Sequence, residues 1–315
     1  MSGPSAEGGQ RVVVIALVVN LLIAGFKFVT AGISRSTAML AEAVHSLADS
    51  ANQVFLLIGM RRSVRPPDAR HPFGYGTETY FWAFIVAGSI FLIGAVVSIW
   101  EGVEKLWQIY HGTHRGHGDV RWALLVLGVS IVLELVSLRA ALVEFRHLTG
   151  GRGLRRTLED ARDPTVLTVL FEDVAALFGL IAALCGVLLT YLTGQPIWDA
   201  LASVVVGLAL AVVAIVLGRD SKSLLIGEAV PADEQRQIIE LVAAWPDVLA
   251  VVHLRTLHIG PKEVLAALKL RFRRDLTIDD LEQSINGLEA ALRNAFPHLR
   301  RIYIEPGFDE EGRKA

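Results

Sequence analysis

Six apolar stretches, each about long enough to cross a bilayer, fill the first two thirds of the chain, so the fold must be one whose solvent is partly lipid. They run over 12–33, 37–60, 80–100, 122–143, 166–191 and 197–217. Hydrocarbon offers no hydrogen bonds, so each stretch must satisfy its own backbone and becomes a helix. The mean hydropathy of +0.48 agrees with that reading. After Glu228 the chain turns into ordinary mixed polar and apolar sequence, and a soluble domain is expected there.

The basic residues set the orientation. Arg61, Arg62, Arg65 and Arg70 follow the second stretch. Arg146, Arg152, Arg155, Arg156 and Arg162 follow the fourth, and Arg219 and Lys222 follow the sixth. The opposite loops carry less, with Arg35 in the first and Lys105, Arg115 and Arg121 in the third. The positive-inside rule then places both termini in the cytoplasm of a multi-pass protein, with the cell (inner) membrane as the default. The first stretch is too long for the core of a signal peptide and follows a start with no basic cluster.

The soluble part reads helix, strand, strand, helix, strand. Residues 234–244 have helical apolar spacing and Pro246 closes them. Residues 248–257 and 264–272 alternate loosely around a Gly260-Pro261 turn. A helix follows over 278–295 and a last strand over 301–305. The expected division is a disordered start over 1–11, a six-helix transmembrane domain over 12–218, a linker over 219–230, a cytoplasmic αββαβ domain over 231–306 and a short tail over 307–315. The class is an α-helical membrane protein with a small α+β domain.

Composition excludes several functions. Thirty Lys and Arg against thirty-two Asp and Glu leave a net charge of −2, a balance that argues against nucleic acid as the main partner. Cys185, the single cysteine, excludes a disulfide framework and a thiolate cluster.

What remains unusual is charge inside the spans, which costs about 2.5–3.5 kcal/mol per group at a helix centre on insertion scales. The second span holds Glu42, His45 and Asp49 on one stripe, and His45 and Asp49 stand one turn apart. The fifth adds Glu172 and Asp173, and the fourth Glu134. Only Lys27 and Arg139 could compensate within the spans. This excess of buried acid beside one imidazole points to a divalent metal site between the second and fifth spans. The bland reading is an ion-pair and hydrogen-bond network that only packs helices. For Glu134 a salt bridge to Lys27 or Arg139 competes with a ligand role, and Asn20 reads as an interhelical hydrogen bond.

Nitrogen with carboxylates suits Zn²⁺ or a neighbouring first-row ion such as Mn²⁺ or Fe²⁺ better than Ca²⁺ or Mg²⁺. Ligand protonation lowers metal affinity, and an imidazole of ordinary pKa titrates near neutrality, so protons and metal can compete for one site. No resident cofactor is implied. A membrane metallohydrolase is the rival enzyme reading, but no His-Glu-x-x-His occurs. A metal sensor that binds without transporting is the other rival.

Elsewhere, His111, His114 and His117 sit in a glycine-rich loop. Asp68 and His71 flank a tight turn over 66–76, where anchoring the loop competes with a ligand role. His253 and His258 lie in the tail, and His147 and His298 read as surface residues.

The stretches AEAVHSLADSANQ, SVRPPDARHPFGYG and RDPTVLTVLFEDVAALFG, with six spans and an αββαβ tail, resemble the cation diffusion facilitator family, most closely its zinc transporter nine-like branch. The resemblance runs from about Val12 to Ile304 and implies a homodimeric metal/proton antiporter that moves Zn²⁺ or a related ion out of the cytoplasm. It implies a site of His45, Asp49 and Asp173. The family's fourth ligand position falls on Val169, so either water or Glu172 or Glu134 completes the set. Asp68 and His71 match the family's loop site, where Tyr75 stands for a common His. His253 matches a tail ligand, while Lys269 and Glu305 occupy two other ligand positions.

Overall fold

The computed structural model describes residues 4–34, 37–113, 120–149 and 164–307. Helices α1 (Pro4–Ser34) and α2 (Thr37–Ser63) form an antiparallel pair. The third crossing is one continuous rod. It begins as α3 (Glu78–Ser89), widens into a π-helical stretch over Ile90–Val96 and continues as α4 (Val97–Tyr110). Helices α5 (Val120–Thr149), α6 (Pro164–Thr193) and α7 (Ile197–Ile226) complete the bundle.

Among the described residues, five helices are long and apolar enough to cross a membrane: Gly9–Ile33, Glu78–Tyr110, Val120–Arg146, Thr165–Thr193 and Ile197–Ile226. Helix α2 is long enough but more polar, and its faces explain why. Leu40, Leu47 and Val54, seven residues apart, are exposed, whereas Ser46, Ser50, Asn52 and Gln53 are buried. A soluble helix hides its apolar stripe; α2 hides its polar one, as a helix wetted by lipid must.

Two boundaries differ from the sequence reading. Helix α1 begins at Pro4, within the start expected to be disordered. Proline is favoured in a first turn, because its φ is preset and its missing N–H would be unpaired there. Helix α7 continues to Ile226, past the expected end at 217 and through most of the expected linker. Arg219, Asp220 and Lys222 leave the apolar layer without leaving the helix. It ends where Gly227 takes φ +121°.

Small residues let α7 lie close to both its neighbours. A Cβ on Gly102 of α4 would meet Val204 Cγ2 at 2.6 Å and the Ala200 carbonyl oxygen at 2.9 Å. One on Gly207 would meet Ile99 N at 2.8 Å, and one on Gly186 of α6 would meet Ala202 Cβ at 2.7 Å.

The tight apolar core of the bundle occupies only one end. Val13 and Ala16 from the start of α1, Leu56 from α2, Val86 from α3, Phe145 from the end of α5, Val166, Val169 and Leu170 from the start of α6, and Leu217 from α7 form one buried cluster. These are the parts of each helix nearest the C-terminal domain.

That domain holds α8 (Ala232–Ala243), β1 (Val248–Gly260), β2 (Glu263–Phe272), α9 (Ile278–Ala295) and β3 (Leu299–Pro306). The sheet order is β1-β2-β3, with β1–β2 antiparallel and β2–β3 parallel. Ile238 and Val242 of α8 and Leu288 and Leu292 of α9 are buried against Val264, Leu268, Leu270 and Ile302. Thr277 and Asp280 cap α9 reciprocally. The domain is tied to the bundle twice. Residues 228–230 run beside β1, where Glu228 O accepts from His258 N at 2.9 Å and Thr256 Oγ1 from Val230 N at 3.1 Å. The loop after α2 meets the β1–β2 hairpin backbone to backbone: a Cβ on Gly76 would lie 2.3 Å from Ile259 O.

The packing gives a paired expectation. Gly102→Ala forces α4 from α7 and lowers the thermal midpoint in detergent by several degrees. Gly128→Ala, with nothing within 4 Å of the added Cβ, leaves it unchanged or slightly raised. Scanning fluorimetry of the two purified variants checks both.

Candidate metal centre

The antiparallel pairing of α1 with α2 sets the first contacts. Lys27 Nζ donates to Ser46 Oγ at 2.8 Å, and two turns along Asn20 Nδ2 donates to Gln53 Oε1 at 3.3 Å. Helix α6 then brings Glu172 against α2. Its Oε1 accepts from Asn52 Nδ2 and its Oε2 from Gln53 Nε2, each at 2.9 Å. A line of neutral amides thus joins α1 through α2 to a carboxylate on α6. The next residue, Asp173, points about 100° further round the helix and faces α5, where its Oδ2 accepts from Ser137 Oγ at 2.8 Å. Asp173 and Glu134 are both buried.

Asn20, Lys27, Ser46 and the acids line one cavity of ≈ 700 Å³. Asp49, Glu134, Glu172 and Asp173 stand at its deep end. The lining continues to Val120, Trp122 and Asp199, in the first turns of α5 and α7, so the cavity reaches the end of the bundle opposite the C-terminal domain. Behind the acids lies the apolar cluster already described. Two lysines line the space. Lys105 pairs with Asp199 at 2.9 Å and donates to Ser203 at 3.3 Å near the mouth; Lys27 stands deeper. Glu101 also lines the space, so with Lys105 and Asp199 paired, five carboxylates face it with one ammonium, a field that favours a cation.

Of the residues singled out in the sequence, the structure brings together Asp49, Glu134, Glu172 and Asp173. His45 and Glu42 lie on α2, but their side chains fall outside the described residues. Among the described residues no three His, Cys, Asp or Glu side chains converge closely enough to hold an ion. Val169 is fully buried in the apolar cluster. Arg139 is exposed. Asn20 makes the interhelical bond its sequence suggests. Sequence reasoning missed the holders, which are Asn52 and Gln53 for Glu172 and Ser137 for Asp173. The signal was available: Asn52 and Gln53 come three and four residues after Asp49, and Ser137 three after Glu134, each on the same helix face.

The other candidates are held by their own surroundings. Asp68 Oδ1 accepts from the backbone N–H groups of Arg70 and His71, and its Oδ2 from the Tyr75 hydroxyl at 2.7 Å. His71 Nδ1 lies 3.4 Å from Asp68. In the tail, His253, Lys269 and Glu305 share one row across β1, β2 and β3, and the Lys269 ammonium sits 3.2 Å from Glu305. His258 is buried, His298 pairs with Glu234, and His111 Nδ1 lies 2.9 Å from Trp107 O. His114 and His117 lie outside the described residues, as does the side chain of His147.

Comparison with known proteins matches residues 13–226 to the cation efflux transmembrane domain and residues 230–306 to the cation efflux protein cytoplasmic domain. Metal tolerance protein C4 of Arabidopsis thaliana is 33% identical over 278 residues, which is 87% of this chain and 59% of that protein. The mitochondrial proton-coupled zinc antiporter SLC30A9 of Xenopus laevis is 32% identical over 275 residues, 87% of this chain and 47% of that one. The chain therefore spans about half the length of these two relatives. Magnetosome protein MamB of Magnetospirillum gryphiswaldense is 24% identical over 299 residues, 94% of each chain.

The loop geometry carries its own expectation. The Tyr75 hydroxyl, then the His71 backbone N–H, hold Asp68 down to about 2. A depressed carboxylate contributes its anchoring above the ordinary value near 3.9 and loses it as pH falls through about 2. Tyr75→Phe removes the largest cause and moves the Asp68 titration up toward the ordinary value. Carboxyl-carbon NMR of Asp-labelled protein measures the move, and an unmoved midpoint refutes the assignment.

Proposed function

Because the chain belongs to the cation efflux family, we propose that it is a secondary active transporter that carries a divalent metal cation out of the cytoplasm in exchange for protons. The observation that carries this reading is the cavity itself: four carboxylates at mid-bundle, open toward one end and sealed by apolar side chains toward the other. Zn²⁺ is the favoured ion, because His45 adds a nitrogen donor to the carboxylates. The name of one relative, a proton-coupled zinc antiporter, supports the same choice. Mn²⁺ and Fe²⁺ exporters of this fold are the alternative.

The ligands are His45 and Asp49 from α2 and Glu172 and Asp173 from α6. Glu172 supplies the donor that Val169 cannot, and the amides of Asn52 and Gln53 aim it. Glu134 adds negative potential. With both termini in the cytoplasm of the cell membrane, the cavity faces outward. Protons arriving through it neutralise the ligands and release the ion. Closing the mouth and parting the cluster around Leu56, Phe145 and Leu170 then offers the site to the cytoplasm. In that exchange α1, α2, α5 and α6 move as one group against the third crossing and α7. The C-terminal domain joins two copies, a role that suits the exposed Leu249, Leu257 and Tyr303 on its strands. The chemistry is exchange of bound cations, and no covalent step is needed.

Inverted membrane vesicles with an imposed pH gradient test the proposal. Wild-type protein accumulates Zn²⁺ only with the gradient. The double variant His45→Ala with Asp49→Ala, and Asp173→Ala alone, lose that uptake. Double-variant uptake at the wild-type rate sinks the mechanism. Competition by Mn²⁺ and Fe²⁺ in the same assay ranks the ions.

A further inference from the structure

We propose that Lys27 is a built-in competitor of the transported cation: its ammonium guards the open side of the acid cluster and takes the ion's electrostatic place when the ion leaves. This rests on the export reading of the same cavity.

Lys27 is buried, 8% exposed, in the middle of an apolar helix. Its ammonium donates to Ser46 Oγ at 2.8 Å. Ser46 precedes Asp49 by three residues, so the two side chains share a face of α2 within one turn. Helix α2 starts at Thr37, on the mouth side. The ammonium therefore stands between the mouth and Asp49, inside the cavity that Glu134, Glu172 and Asp173 also line. The pairing of α1 with α2 fixes this height, because Asn20 and Gln53 meet two turns deeper. A lysine stem is long and flexible, and its ammonium is a compact point charge with three donors. Swinging about one helical turn, ~5 Å, brings it onto the carboxylates.

Two consequences follow. With an ion on the acids, the ammonium is a like charge close by and lowers affinity. With the ion gone, the ammonium moves inward, relieves the repulsion among the carboxylates and hinders recapture from the open side. The lysine thus exchanges tight binding for fast release.

The test compares Zn²⁺ affinity of purified full-length protein in detergent, read by competition with a fluorescent zinc indicator, with Zn²⁺ flux in vesicles. Lys27→Met and Lys27→Gln bind Zn²⁺ more tightly by about a hundredfold or more, the scale for removing a like charge one turn away at an effective dielectric near 20. In flux both lower KM and lower the maximal rate. Lys27→Arg keeps the charge and stays within about twofold of wild type. Gln covers the case in which Met fails to fold, since it can still reach Ser46. Neutral variants that are monodisperse and bind Zn²⁺ no more tightly than wild type overturn the proposal. Wild-type protein that binds Zn²⁺ without transporting it overturns the export reading instead, and the binding comparison still decides the role of Lys27.

Discussion

Keeping carboxylates inside a lipid-facing bundle is the constraint around which the membrane half of this protein is built. An acid at that depth is tolerable only if protein groups replace the water it has lost. Here the replacements are neutral: two side-chain amides for Glu172 and one hydroxyl for Asp173. Neutral donors orient a carboxylate without cancelling its charge. An arginine in the same place would have formed a closed ion pair and left nothing for a cation to do. The polarity of α2 follows from this, since it must supply donors inward while showing leucine and valine to the hydrocarbon.

The bundle is correspondingly asymmetric. Near the C-terminal domain its helices meet through Leu56, Val86, Phe145 and Leu170 as in an ordinary core. Past the acids they part around the cavity, and α4, α6 and α7 are held together by glycine and alanine contacts. Packing in a membrane gains little from apolar burial, so close approach of small residues carries the cohesion on the hollow side. The π-helical stretch of the third crossing lies where the two halves meet, with Ile90 and Gly94 on the cavity wall. Such wide turns interrupt the regular ladder and favour functional positions.

Much of this was legible in the sequence, for identifiable reasons. Apolar length announced the bundle, and alternation with turn residues gave the αββαβ order of the tail. Spacing alone set His45 and Asp49 on one stripe. Helical spacing sets Asn52 and Gln53 on the face of Asp49, but that Glu172 is the carboxylate they hold was not legible, because it lies 120 and 119 residues away on another helix. The end of α7 was misplaced because hydropathy reports the solvent, whereas Gly227 is what stops the backbone. Lys27 was seen as a compensating charge, but its height relative to Asp49 follows only from how α1 lies along α2.

The glycine pair between the loop and the tail has a mechanical meaning. Where Gly76 rests on Gly260 and Ile259, main chain touches main chain. Side chains between two parts act as springs, taking up small displacements by changing rotamer. Here there is no spring. A tilt of the β1–β2 hairpin therefore presses first on the main chain of the loop that joins α2, the helix that bears Asp49, to α3.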